Sequence, residues 1–550
     1  MPGMPRFPGH PHPAALRCAN DLRAGRIGRR EFLTRATALG LGAPFACALG
    51  GLPMPAAAQP APRQGGTLRM QMITKELGDP RLFDWSEMAN FSRGWLEYLV
   101  EYNADGTLRG MLLDRWEASE DATSYILHVR PGVRWTNGDA FTARDVARNI
   151  DRWCEADLPG NSMASRMAGL VDPATGRARE GAIAVLDELT LRITLDAPDI
   201  TLIMGMADYP AAIVHDSYDG GDPSAVPIGT GPYLPEINLP GARQVLVRNE
   251  AHDWWGTAVH GGPYLDRIEY VDRGTDPRSA LLAAEAGEID ATYQTTGRFI
   301  DAFEALGWTQ SDVLTSATIA VRFNQTAPPY GDVRVRRAMT RAVDNAVILE
   351  LGYGDHGLVG ENHHVCPIHP EYAALPAIAP DPDGAAALMA EAGHAETRFE
   401  LFCLDDEWQA ATGAAIEAQM RDAGIDLRQR IRPGAEFWQN WKTYPFSATE
   451  WNMRPLGVQV MALAYRSGSV WNETGFANPR FDTLLSRAMG LADAEERREV
   501  MAELQAILQE EAVLIQPFWR RLYRHSAPRV RGAGMHPTYE HHHYKWWIDA

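Results

Sequence analysis

The residues whose types and spacing could do chemistry are few. Arg454 stands in the stretch WNMRPLG (451–457), locked against Pro455 and preceded by Trp451 and Asn452. A guanidinium buried in a cleft takes a carboxylate, phosphate or sulfonate, as a bidentate fork where geometry allows. The stretch is therefore read as an anchor for the acidic end of a small ligand, with a surface arginine or an internal salt bridge as the alternative. Trp451 and Trp471 are candidates to stack on that ligand, because cleft aromatics supply contact area at low rotamer cost; core packing is the alternative for both. Glu407, beside Trp408, offers a place for a cationic group, and with Arg454 it suits a zwitterion. His363 and His364 in ENHHVC (361–366) are ligand types for nickel, copper or zinc. Adjacent histidines on a strand point to opposite faces, which disfavours joint ligation, and a structural loop is the alternative. The run His541-His542-His543 is read as a solvated patch near the C-terminus.

Catalysis finds no comparable anchor. The chain has no G-x-S-x-G, H-E-x-x-H or Walker loop, and no Cys-His pattern in a suitable context. A secreted hydrolase is kept as the competing class, to be separated by whether it turns a substrate over. No cofactor is expected.

These residues need a frame to hold them. Gly66–Met72 alternates as a strand should, and Ser124–Val129 forms an alternating ribbon closed by Pro131-Gly132. Thr142 is placed to cap a helix running to Trp153, with Asp145 against its positive end. GTGPY (229–233) is a turn into a strand; Pro232 removes a donor, so it is no phosphate loop. Helices are predicted over Pro277–Gly287, from Asp332 through Val347, and over Ala385–Ala392, Ala410–Ala423 and Ala494–Glu511. Arg334, Arg336, Arg337 and Arg341 are expected to be solvated along one face. Short strands are predicted at Ile289–Ala291, Phe399–Cys403 and Asp426–Ile431. Mixed elements without a repeat period argue for an α/β protein.

At 550 residues the chain is long enough for two or three domains. Its formal charge is −19, and because the first 58 residues carry a local +5, the remainder sits at −24. So acidic a body is a poor partner for nucleic acid or anionic lipid. Arg29-Arg30-Glu31-Phe32-Leu33-Thr34 is a twin-arginine pair followed by a weakly apolar run, Ala36–Leu52, and by Ala56 and Ala58 spaced as a cleavage site. Residues 1–58 are thus read as a twin-arginine export signal, leaving a soluble product. Cys154, Cys366 and Cys403 match no zinc spacing and are expected as buried free thiols, with one disulfide possible in an oxidising compartment.

A series of blocks resembles the family 5 extracytoplasmic solute-binding proteins, the receptors of oligopeptide, dipeptide and nickel ABC importers. They are GMLLDRWEASEDATSYILHVRPGVRWTNGDAFTARDV (110–146), PIGTGPY (227–233), LVRNEAHDWWG (246–256), PYLDRIEYV (263–271), EAGEIDA (285–291), FNQTAPPYGDVRVRRAMTRAVD (323–344) and NPRFDTLL (478–485). The resemblance implies a bilobal, type II periplasmic-binding-protein fold of three subdomains. Residues 59–103, 227–321 and 521–550 would form a discontinuous N-terminal lobe, 104–226 an inserted domain and 322–520 a C-terminal lobe. Hinges are expected near Ser316–Asn324 and Gln516–Tyr523, with Asn324 among the ligand contacts. Receptors of this family hold a ligand ammonium with an aspartate in the stretch corresponding to 450–457, where this chain has Arg454. Dipeptide receptors place a carboxylate-binding arginine at the helix that begins here with Glu407 and Trp408, where no arginine stands. The resemblance implies a periplasmic, monomeric receptor that closes on a peptide-like or zwitterionic solute, or on a metal chelate, and delivers it to the transmembrane subunits of an ABC permease.

Overall fold

The computed structural model describes residues 11–52, 61–376, 378–491 and 493–549. One long mixed sheet runs through most of the molecule. At one end the strand Thr67–Gln71 pairs in parallel with Arg267–Val271 and with Ala291–Thr292. The antiparallel ribbon Tyr233–Leu239 and Arg243–Arg248 extends that edge. At the other end Phe399–Leu404 lies parallel to both Leu427–Arg432 and Phe446–Trp451.

Two long antiparallel strands, Thr309–Phe323 and Phe518–Ser526, join the two ends. Residues 309–314 pair within the first lobe, while 318–323 pair with Phe446–Trp451 of the second. Between them the register shifts. At the break Thr315 Oγ1 donates to the Arg520 carbonyl (2.7 Å) and accepts from Ala317 N–H (3.1 Å), taking over bonds the ladder lacks. The break falls close to the hinge region expected from the sequence.

A separate four-stranded antiparallel sheet is made by Leu113–Ala118, Ser124–Val129, Thr190–Thr194 and Ile183–Asp187. The helix Ala143–Trp153 beside it starts with a capping box, Arg144 N–H to Thr142 Oγ1 and Thr142 N–H to Asp145 Oδ2, and buries Val146, Ile150 and Trp153.

Three expectations need correction. The helix foreseen from Asp332 to Val347 is two, Val333–Arg341 and Asn345–Tyr353, because Asp344 accepts from Ala346 N–H and caps a new start. Arg336 is buried rather than solvated, donating to the Tyr330 and Glu511 carbonyls and pairing with the Glu511 carboxylate. His541, His542 and His543 are likewise buried, held between Tyr270, Glu101 and Arg524. Cys154, Cys366 and Cys403 are buried free thiols.

The N-terminal segment forms three helices, Pro13–Arg23, Arg29–Ala38 and Ala43–Gly50, around an apolar cluster of its own. No helix among the described residues is long and apolar enough to cross a membrane. Residues 56–58, the expected cleavage site, lie outside the described residues.

The C-terminal lobe is organised around a buried ion pair. Arg322 Nε lies 2.9 Å from Glu473 Oε2, with both side chains essentially inaccessible. The guanidinium also donates to the Tyr444 and Trp441 carbonyls, and Glu473 accepts from Thr449 (2.8 Å) and Trp451 Nε1 (2.8 Å). Glu473→Ala strands a buried guanidinium, so it is expected to destabilise the protein by about 3–5 kcal/mol in urea unfolding.

Candidate ligand-binding site

Between the lobes lies a cavity of about 670 Å³, within the size range of small-molecule sites. One wall comes from residues 73–76 and 84–88 with Tyr293, Gln294 and Tyr539; the other from Leu404, Asp406, Gln409, Trp438, Glu450 and Asn452. The walls touch at several places, among them Tyr539 Oη, which donates to Glu450 Oε1 at 3.4 Å. Trp85 meets Trp438 with ring centroids 3.9 Å apart, Asn452 Nδ2 donates to Ser86 Oγ (3.3 Å), and Arg298 faces Glu407 at 3.8 Å.

The lining is strongly acidic. It carries Glu76, Asp84, Glu87, Asp272, Asp406 and Glu450 against a single basic residue, Lys75. Two of these carboxylates are already answered. Asp272 accepts from Thr74 N–H (2.7 Å), and Glu450 pairs with Arg520, which lies over the Trp408 ring at 4.0 Å. Glu76, Asp84, Glu87 and Asp406 form no ion pair among the described residues. Nor does Lys75, whose ammonium sits against the rings of Trp85 and Trp438 at 5.1 and 5.8 Å.

Burial acts on these carboxylates. It raises Asp84 and Glu87 above the usual range, with Lys75 pulling the other way. It pushes Asp406 up to about 7, helped by Glu450 and opposed by Arg520. Asp406 is the residue before the helix Glu407–Asp422, yet its carboxylate makes no capping bond and meets only Gln409 Nε2 at 3.4 Å.

The residues singled out in the sequence fall unevenly around this cavity. Asn452 lines it. Trp451, Trp471 and Arg454 line a smaller void that continues past Asp84, Trp85, Glu450 and Asn452. Arg454 meets its counter-charge inside the protein: Nε lies 3.1 Å from Asp208 Oδ2, Nη2 donates to Tyr209 Oη at 3.2 Å, and Nη1 donates to the Asn452 and Met453 carbonyls. Arg166 shares that aspartate, so this cluster ties the Arg454 loop to the segment carrying Arg166 and Asp208. Trp471 stacks on Tyr209 and beneath Arg166. Trp408 packs under Arg520, and Glu407 is exposed towards Arg298. Asn324 caps a turn by accepting from Thr326. His363 and His364 are buried away from the cavity, His364 on Tyr465 Oη at 2.7 Å and His363 near Glu361 at 3.4 Å.

Sequence reasoning missed Lys75, Asp84, Trp85, Glu87, Asp406, Trp438 and Tyr539. Asp406 was one residue from Glu407, and its place before a helix was the available signal. The others come from segments far apart in the chain that the fold brings to one cavity, and nothing local marks them.

Two lobes joined by two long strands, with an acidic cavity between them, are the architecture of a solute-binding receptor. The chain belongs to the bacterial extracellular solute-binding proteins, family 5, whose middle-region pattern matches residues 107–473. It is 26% identical to heme-binding protein A of Haemophilus influenzae over 479 residues, 80% of this chain and 84% of that one. It is 25% identical to di/tripeptide-binding protein 4 of Pseudomonas aeruginosa over 466 residues, 78% and 84% of the two chains. Its fold matches the Haemophilus influenzae oligopeptide-binding protein in complex with RPPGFSPFR at a TM-score of 0.78 and 18% identity, covering 89% of this chain and 99% of that one. It is accordingly a substrate-binding receptor of an ABC importer, with the type II binding-protein fold.

Asp406 gives a pH signature. A carboxyl raised from an unfolded value of 3.8 to about 7 binds more protons folded than unfolded across that window. Its contribution to stability is therefore full below 3.8 and is lost as pH rises through about 7. Asp406→Asn is expected to flatten the decline in urea-unfolding stability between these limits.

Proposed function

We propose that the receptor closes on a small organic cation or zwitterion of peptide-like size. Its ammonium or guanidinium group meets Asp84, Glu87 and Asp406, and a carboxylate end, where the ligand has one, meets Lys75. The observation that carries this reading is the set of carboxylates without ion partners facing one another across the lobes, with a single lysine among them. Carboxylates held together in a closed cleft repel one another, and a cation makes its best contacts only when both walls are present, so it draws the lobes shut. The peptide named with the di/tripeptide-binding relative and the arginine-ended nonapeptide of the oligopeptide-binding neighbour support a peptide-like ligand. Arg454 and Trp471 then act as the wall behind the site, with Trp451 beside them. The metal-chelate reading rested on His363 and His364, and the cavity lining offers no histidine for it.

Export by the twin-arginine route, a monomeric state and docking of the closed form on permease transmembrane subunits complete the proposal. The pair Arg29-Arg30 supports the route; replacing both by lysine is expected to hold the chain in the cytoplasm in a fractionation assay.

The binding test is calorimetry with lysine-containing, neutral and glutamate-containing tripeptides. Glu87→Gln and Asp406→Asn are each expected to weaken the lysine peptide by about 1.5–3 kcal/mol, roughly ten- to a hundredfold in Kd. Affinity is expected to rise with pH through about 7, because the cation favours ionised Asp406 and releases its proton. Unchanged affinity in both variants would refute the assignment.

A further inference from the structure

The tail 535–545 crosses the back of the cleft wall, and its chemistry is unused by ligand binding as described above. His536, Glu540 and His542 are all buried, and one ligand atom from each lies within 4.8 Å of the others. The two imidazoles meet edge to face with centroids 4.9 Å apart. A carbonyl can only accept, so the 3.0 Å contact of His536 Nε2 with the Tyr102 carbonyl puts the proton on Nε2 and the lone pair on Nδ1. That is how a metal-ligating histidine is normally oriented by its outer partner. The Nδ1 lone pair is met only by Thr538, at 2.9 Å from the hydroxyl and 3.3 Å from N–H. His542 Nε2 faces Glu540 Oε2 at 3.2 Å, and Glu101 Oε2 stands behind it at 3.5 Å, held in turn by Arg109, Tyr544 and Lys545.

We propose that His536, Glu540 and His542 form a site for a divalent transition metal of the zinc class. Two imidazoles and a carboxylate suit such an ion, with water completing a four-coordinate shell. Bonds of about 2.0–2.2 Å bring tetrahedral ligand atoms to roughly 3.3 Å from one another, so spacings of up to 4.8 Å close by up to about 1.5 Å. A void of about 20 Å³ bordered by Tyr102, Thr538 and Glu540 leaves room for that adjustment. Three cations stand nearby, one of them Arg109, which pairs with Glu101. Arg93 lies 3.5 Å from Glu540, and the Lys545 ammonium bridges Glu101 (3.2 Å) and His542 Nδ1 (3.0 Å). The Lys545 side chain is 36% exposed and has solvent to withdraw into; once it leaves, His542 Nε2 is free to take the metal. The ion braces the tail beside the strand Val100–Tyr102 and fixes Tyr539, which lines the ligand cavity and donates to Gln294 (2.9 Å).

The test uses the full chain, stripped with a chelator and titrated with Zn²⁺ and with Co²⁺ as a spectroscopic stand-in. One equivalent is expected, with a rise in Tm and the intense visible bands of four-coordinate Co²⁺. Glu540→Gln and His542→Gln, which preserve side-chain bulk, are expected to weaken Zn²⁺ at least tenfold. Lys545→Met is expected to tighten it, because a competing ammonium is gone; a merely structural role for the lysine would not do so. Failure of the stripped wild-type chain to take up Zn²⁺, or unchanged affinity in both glutamine variants, overturns the site.

Discussion

A charge taken out of water must find a counter-charge or give up its proton, and that constraint shapes this molecule. Arg322 with Glu473 anchors the C-terminal lobe; Arg454 and Arg166 with Asp208 join two parts of the chain far apart in sequence; Arg520 with Glu450 sits at the edge of the cavity. Each pair loses hydration on burial and regains it through short, multiply bonded contacts, so each is costly to break by halves. What remains after these pairings is the proposed ligand site. Asp84, Glu87 and Asp406 form no ion pair among the described residues, and burial raises all three.

Two long strands join the lobes, and in the proposed function the lobes turn about them. The shift between Leu314 and Thr318 breaks the ladder between the lobes, and the Thr315 hydroxyl satisfies the freed groups. Side chains on either side, among them Trp85 and Trp438, then supply the contacts that exist only when the lobes meet. A ligand that adds cross-lobe charge pairing selects the closed form in proportion to that difference.

The fold was largely legible in the sequence. Alternation at Ser124–Val129, the capping box at Thr142 and the turn at GTGPY are local signals with local causes, and the structure carries each. The helix break at Asp344 was missed although the N-cap aspartate was visible, because the apolar pattern runs on across it. The site was far less legible. Arg454 reads in the sequence as an anchor for an acidic ligand end, with an internal salt bridge as the alternative; in the structure it pairs with Asp208, 246 residues earlier, and no local pattern couples them. Glu407 faces solvent while its neighbour Asp406 faces the cavity. The histidines of the tail were taken for solvated because three in a row look polar; their burial comes from Tyr270, Arg524 and Glu101, which the chain brings up from elsewhere.

The most direct test of the account is a calorimetric comparison of a lysine-containing and a glutamate-containing tripeptide of equal size on the purified receptor. The carboxylate-lined cleft predicts that the lysine peptide binds with proton release below about pH 7 and that Asp406→Asn removes both the release and most of the preference. Tighter binding of the glutamate peptide, or a preference that survives in Asp406→Asn and Glu87→Gln alike, would contradict it.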